Sequence, residues 1–459
     1  MATLDSSIVN IALPTLTKEL GTDLSRIKWV VIAYLLVITC LLLPFGRLSD
    51  QHGRKPVFLF GFVVFTIGSA LCGLSPTLSW LSVFRMVQGA GAAMLMANGP
   101  AIITAAFPAS ERGAALGTLA MVVSAGLVSG PSIGGLLITH LGWQSIFLVN
   151  IPVGFLGIYL VHTCVAADAA PRLKLPFDWG GAFLQTILLV SFIMMFDPPQ
   201  IAISGSLPVP IPRAVMGLIV LLSGALFASV ESQVKAPLFD FSLLKNRTFW
   251  TANLASFLTF VSYSFVSVLM PFFLEEVMHY TPDKAGLFMT AIPLTIFVVA
   301  PISGRLSDRV ASHYLSFAGA LIGALVLFVM AGLFGSGLSA SVSRVGIILG
   351  LSSMGLATGL FQSPNNNAIM GAVPHNKLGI ASALLATIRN LGLVSGTGLA
   401  TSLFSWRQRV TGDFVSALHF THIVAGFVGL MAMMAALGRR KDYLNRHIVA
   451  LSIEKRVKE

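Results

Sequence analysis

Two charged residues stand where charge is costly. Asp5 lies in the run Leu4-Asp5-Ser6-Ser7-Ile8-Val9-Asn10-Ile11-Ala12-Leu13-Pro14, and Arg85 is the only charged residue between Phe58 and Phe107. Acids and bases inside long apolar helices are rare because they are expensive, and those that persist usually serve a pathway, a proton relay or each other. Burial disfavours the charged form of a carboxyl group, so a carboxyl so placed can take up and return a proton. Two readings of Asp5 stand: a proton carrier, or a cap on a shortened helix near the surface. Arg85 must face a bundle interior, where it biases the protonation of Asp5, bridges to the loop at Asp50, or bonds helix carbonyls.

Three further groups carry polar chemistry. The stretch Gly46-Arg47-Leu48-Ser49-Asp50-Gln51-His52-Gly53-Arg54-Lys55-Pro56 joins two apolar segments. It reads as a loop in which Gly46 and Gly53 permit tight backbone geometry and Asp50 pairs with basic groups or a helix N-terminus. Such a loop can hold two halves of a protein together in one state and release them in another. An ordinary basic loop explains Arg54 and Lys55, but not Gly-x-Leu-x-Asp as well. Gly126, Gly130 and Gly134 recur every four residues, with Gly135 adjacent, and permit close helix approach; Pro131 removes a backbone hydrogen bond and favours a kink. Gln362-Ser363-Pro364-Asn365-Asn366-Asn367 is polar inside an apolar run. Gln362 and Asn366, with Asn10, Gln88 and Arg389, are candidates for lining a substrate cavity, although satisfying the backbone freed by Pro364 explains that stretch comparably. The nine histidines are scattered and give no metal or catalytic cluster.

The elements that position these groups follow from composition. Of 459 residues 55% are hydrophobic and only 10% charged, with a mean hydropathy of +0.85, whereas soluble domains carry about 25% charged residues. Lipid must be the solvent. Apolar segments give fourteen candidate spans, among them 1–17, 28–46, 179–196, 213–230 and 284–302. The first, Met1–Leu16, reaches only about 24 Å at about 1.5 Å per residue, short of the roughly 30 Å hydrocarbon core, so the helix is expected to begin upstream of Met1. The net charge of +11 is read as topology rather than as affinity for nucleic acid. Basic residues crowd one side of the spans, placing both termini in the cytoplasm. Cys40, Cys72 and Cys164 fall in apolar spans without ligand spacing and imply no disulfide framework.

Two pentapeptides recur. GRLSD stands at Gly46–Asp50 and again at Gly304–Asp308; GLVSG stands at Gly126–Gly130 and again at Gly392–Gly396. Their common order and similar offset make spans 9–14 a repeat of spans 1–6 in the same direction, which implies a substrate site near the midplane between the halves. The fold class expected is an all-α polytopic membrane protein of two six-helix bundles plus two inserted helices. Its parts are 1–166, the N-terminal bundle; 167–240, inserted helices 7 and 8 joined by an irregular Pro-rich linker; 241–437, the C-terminal bundle; and 438–459, a basic cytoplasmic tail. The second GRLSD lacks the Gly-Arg-Lys completion, so the full loop is expected only in the first half, with Asp308 a weaker echo of Asp50.

Gly46, Leu48, Asp50, Gly53, Arg54 and Lys55 together resemble the signature loop of the major facilitator superfamily. Leu4–Pro14, Arg85–Gly91, Gly126–Gly135 and Trp143–Pro152 are similar to motifs of its fourteen-helix drug:proton antiporter family, and the resemblance covers nearly the whole chain. It implies proton coupling at Asp5 with Arg85. It also implies a conformational switch at the Asp50 loop, and a glycine-lined fifth helix of the kind that separates antiporters from importers. The function it implies is proton-driven efflux of small amphipathic compounds by alternating access, in a protein that is not an enzyme. No cofactor or metal is expected, the proton gradient being the energy source, and no phosphate-binding G-x-x-x-x-G-K-[ST] loop is present. The expected partners are a small-molecule substrate, protons and lipid, with a monomer in the cell membrane. Neutral, monovalent or weakly anionic substrates are favoured over dications, since Glu275, Glu276 and Asp283 fall at or beyond the end of a span. Export of one dedicated metabolite, lipid or siderophore is the alternative; a membrane sensor or intramembrane enzyme is the remote one.

Overall fold

The computed structural model describes residues 1–107, 112–166, 177–196, 200–201, 209–210, 212–234, 238–239, 241–307, 310–335, 340–373 and 378–438. The first six helices are α1 (Ala2–Glu19), α2 (Trp29–His52), α3 (Arg54–Gly73), α4 (Leu78–Ala106), α5 (Arg112–Leu141) and α6 (Ser145–Cys164, interrupted at Val149). An added pair follows, α7 (Trp179–Phe196) and α8 (Arg213–Glu231). The last six are α9 (Arg247–Phe272, running into a π-turn at Phe273–Val277), α10 (Pro282–Leu306, broken at Thr290), α11 (Ser312–Gly335), α12 (Ala340–Gly371), α13 (Leu378–Thr411) and α14 (Phe414–Leu437).

All but α1 are long and apolar enough to cross a membrane; α1 carries Asp5, Lys18 and Glu19 in its 18 residues. It is instead one of the best-packed helices, with Asp5, Ile8, Val9, Ile11, Ala12, Leu13 and Leu16 all buried. Large apolar side chains such as Phe155, Phe183 and Leu221 point outward, where lipid is their solvent. The helices form two six-helix bundles, α1–α6 and α9–α14, while α7 and α8 pair with each other and α7 leans on α2 and α13.

The repeated glycines show why the two bundles look alike. In the first, a Cβ on Gly126 or Gly130 would press into Thr3, Leu4 or Ser7 of α1; in the second, a Cβ on Gly392 or Gly396 would strike Phe257 or Val261 of α9. The fifth helix of each bundle therefore lies tight against the first at the same pentapeptide. Ser264 Oγ seals the second contact by donating to the Leu393 carbonyl (3.0 Å). One chemistry, the absence of a side chain, permits this close helix approach in both halves.

The structure corrects two local readings. The GRLSD segment is not a loop: α2 stays helical through His52, Gly46 has open space around it, and only Gly53, at φ +100°, leaves the helix. The sequence Arg47–His52 contains no helix breaker, and Ser49 Oγ bonds back to the Gly46 carbonyl (2.6 Å) without interrupting the turn. The segment between α7 and α8 is not wholly irregular either, because Gln200–Ile201 pairs antiparallel with Val209–Pro210. Asp308 and the basic tail from Arg439 lie outside the described residues.

Candidate functional site

Asp5 sits in a closed polar cluster inside the first bundle. It has no solvent exposure, and its Oδ2 lies 2.6 Å from Arg85 Nη1. Its Oδ1 accepts from Gln88 Nε2 (2.8 Å) and Asn150 Nδ2 (3.0 Å). Arg85 and Gln88 are three residues apart on α4, hence on one face, and Arg85 Nη1 also donates to Gln88 Oε1 (2.7 Å). Ser69 of α3 closes the ring: its hydroxyl accepts from Gln88 (3.0 Å) and Asn150 (3.1 Å) and donates to the Phe147 carbonyl (2.8 Å). Arg85 Nε donates to the Val30 carbonyl of α2 (3.0 Å), and the guanidinium lies 3.9 Å from the centre of the Tyr34 ring, a cation–π arrangement.

These contacts exclude two of the earlier readings. Asp5 is not a surface cap, and Arg85 does not bridge to Asp50. Arg85 pairs with Asp5 and also bonds a helix carbonyl, so two of its three proposed contacts occur together. The groups facing Asp5 are all donors.

The other predicted residues distribute as follows. Gly126, Gly130 and Gly134 of α5 face α1, whereas Gly135 and the Pro131 carbonyl face Pro282, Asp283 and Gly286 of α10. The antiporter-motif helix thus touches the opposite bundle with one side and its own first helix with the other. Beside it Ser132 Oγ and Thr290 Oγ1 are 2.7 Å apart. Asn10 Nδ2 donates to Ser267 Oγ of α9 (3.0 Å), a bond across the bundles rather than a free cavity wall. Lys28 reaches Ser402 of α13 (3.5 Å). All of these cross-bundle contacts lie in the half of the molecule away from Gly53.

Gln88 is the clearest departure from expectation: it belongs to the carboxylate cluster and is fully buried, so it lines no cavity. Gln362 and Asn366 of α12 and Arg389 of α13 are half-buried. Their neighbours Asn365 and Asn367 bond the Ala252 carbonyl (3.1 Å) and Ser307 Oγ (2.8 Å), so part of that polar stretch ties α12 to α9 and α10. At the signature segment, Asp50 Oδ1 lies 3.7 Å from Arg54 Nη2, both partly exposed. Arg54 Nη1 donates to the Ala101 carbonyl (3.2 Å) and Lys55 Nζ to the His162 carbonyl (2.9 Å). Arg54 therefore reaches the last two turns of α4, and Lys55 holds the C-terminal end of α6, where carbonyls lack helical partners. Leu48 is half-buried on α2.

Sequence reasoning missed Asn150, Ser69 and Tyr34, and it placed Glu275 at or beyond the end of a span without foreseeing its burial. Asn150 lay inside the quoted Trp143–Pro152 motif, and a polar amide in that apolar run was the available signal. Glu275 is 6% exposed, in the π-turn where Thr15 and Lys18 of α1 face it. The Glu-Glu pair just after Pro271 was its signal. Among the described residues no group of three or more His, Cys, Asp or Glu side chains is placed to hold a metal ion.

Comparison with known proteins shows the family and the fold. The profile of the Major Facilitator Superfamily matches residues 1–397. The chain is 37% identical over 442 residues to "Riboflavin transporter RibZ" of Clostridioides difficile, covering 94% of this chain and 93% of that protein. It is 30% identical over 465 residues to "Multidrug resistance protein Stp" of Mycobacterium tuberculosis, covering 99% and 84%. The solved structure of a D-xylose-proton symporter superposes with a TM-score of 0.67 at 15% identity, over 95% of each chain.

Proposed function

The chain belongs to the major facilitator superfamily, and from that premise we propose that it exports small amphipathic compounds in exchange for protons, with Asp5 as the proton-carrying group. The observation that carries this reading is the Asp5–Arg85 pair, buried and braced by Gln88 and Asn150. A buried pair is expensive to keep for stability alone. A group whose protonation breaks such a pair can bias a bundle between two states. The contacts between the bundles on the side away from Gly53, taken with the expected cytoplasmic termini, support reading this state as inward-facing. A membrane potential near 100 mV supplies about 2.3 kcal/mol per proton and a pH unit about 1.4, enough together for a gradient of roughly several hundred-fold.

The similarity to a riboflavin transporter favours a second reading, in which one neutral, planar metabolite is the substrate. One screen separates the two. Everted vesicles loaded with a pH dye are challenged with a panel of lipophilic cations, neutral dyes and riboflavin, comparing the native chain with Asp5→Asn. Proton release by several unrelated compounds, lost in Asp5→Asn, supports export of amphipathic compounds. A response to riboflavin alone supports the second reading, and proton-linked transport unchanged in Asp5→Asn removes Asp5 from the mechanism.

A further inference from the structure

A cavity of about 250 Å³ lies away from the Asp5 cluster, where the inserted pair α7–α8 covers the seam between α2 and α13. Its walls come from three parts of the molecule: Leu43 of the first bundle, Leu384 and Thr387 of the second, and Gln185, Gly224 and Phe227 of the inserted pair. The lining is almost wholly apolar except for two side chains. Gln185 is 4% exposed; its Nε2 donates to the Cys40 carbonyl (3.4 Å), and its Oε1 has no partner among the described residues. Thr387 is also 4% exposed, and its Oγ1 likewise has none. Two lining side chains of one partly open apolar pocket that each carry a buried, unpartnered oxygen are an unusual coincidence, since buried polar groups are nearly always bonded.

We propose that this chamber binds a neutral, ring-sized amphipathic molecule carrying an O–H or N–H group. The apolar body would fill the space between Leu43, Leu384 and Phe227, and the polar group would donate to Gln185 Oε1 and bond Thr387 Oγ1. Volume supports the size, because an apolar cavity of ~150 Å³ already admits benzene. The wall formed by Phe227 with Phe241, their ring centres 6.1 Å apart, suits an aromatic ring. A plain acyl chain is disfavoured because it would leave both polar atoms unpaired. The site touches both bundles across a seam that must change when the bundles rock. A molecule seated there therefore favours the state described here and slows transport, whatever the transported substrate.

The test uses the full chain in phospholipid nanodiscs with 4-fluorophenol and fluorobenzene as probes, read by fluorine NMR line broadening above that of empty nanodiscs. Saturable broadening by 4-fluorophenol is expected, with fluorobenzene about tenfold weaker and Thr387→Val or Gln185→Leu about five- to tenfold weaker. Gly224→Leu should abolish it by filling the chamber, since a Cβ there meets only Leu188 at an ordinary 3.6 Å. A thermal melt checks that each variant folds; should Gln185→Leu fail, Thr387→Val and Gly224→Leu carry the test. Bound 4-fluorophenol should also raise the yield of a disulfide between Ser132→Cys and Thr290→Cys at least twofold. Equal broadening by both probes in native and Gly224→Leu protein would mean partition into lipid only and overturn the proposal. Absence of saturable broadening would mean that water suffices for the two polar atoms, and would overturn it equally. An unchanged disulfide yield would overturn the state preference.

Discussion

Arg85 Nη1 lies 2.6 Å from Asp5 Oδ2, and neither side chain is more than 1% exposed. Eighty residues apart in sequence, they form a fully buried ion pair. Gln88, Asn150 and Ser69 are arranged around that contact. The asymmetry of buried pairs gives it consequences for both stability and transport.

Removing one member should be far worse than removing the charge from both. Arg85→Ala leaves an unpaired buried carboxylate and is expected to cost about 3–5 kcal/mol, whereas Arg85→Gln with Asp5→Asn should lose much less. Thermal melting in one detergent checks the order. A double variant as unstable as Arg85→Ala would show that the cluster's shape, not its charge balance, holds the bundle.

Ser132 and Thr290 meet across the bundles at 2.7 Å between hydroxyl oxygens. Cysteines at both positions should form a disulfide that stops transport, with activity returning on reduction. The exposed native Cys164 is replaced first, while Cys40 and Cys72 are buried. Full activity of the oxidised protein would place this contact outside the transport cycle.

Two glycine substitutions should separate folding from conformational change. A Cβ on Gly91 would strike the Phe65 backbone within the first bundle, so Gly91→Ala should lower stability by about 1–3 kcal/mol. A Cβ on Gly135 would strike the Pro282 carbonyl across the bundles. Gly135→Ala should therefore disfavour the sealed state. Labelling of a cysteine at Ser132 should become faster, with little change in the melt of the separated bundles' cores. The reverse pattern would contradict the assignment of these two contacts.

Asp50 and Arg54 form a partly exposed pair at 3.7 Å, 38% and 31% exposed, of a kind usually worth about 0–1 kcal/mol. Asp50→Asn should leave melting nearly unchanged while lowering transport rate at least tenfold, if the segment acts as a switch. Transport at the native rate would reduce the segment to a cap on α4 and α6.

The spans, the inserted pair and the repeat were legible because each rests on a one-dimensional signal: apolar run length or a repeated pentapeptide. Asp5 and Arg85 were legible for the same reason, as single charges in apolar stretches. Their direct pairing was not, because it depends on the packing of α1 against α4, which no spacing encodes. Gln88 was misplaced because an amide reads alike whether it faces a cavity or a carboxylate. Gly46 was misread because a glycine next to charged residues suggests a turn, although nothing in Arg47–His52 ends a helix. Glu275 was read as lying at or beyond the end of a span, and its burial was not legible because it comes from α1 folding over the π-turn, a contact between opposite bundles.

Proteoliposomes containing the native chain or Asp5→Asn, with a transported dye and an imposed pH gradient, test the central claim most directly. Proton-driven accumulation of the dye should occur with the native protein and be lost in Asp5→Asn, while exchange of labelled for unlabelled dye without a gradient should persist in both. Asp5→Asn protein that accumulates dye against the gradient as the native protein does would contradict the account.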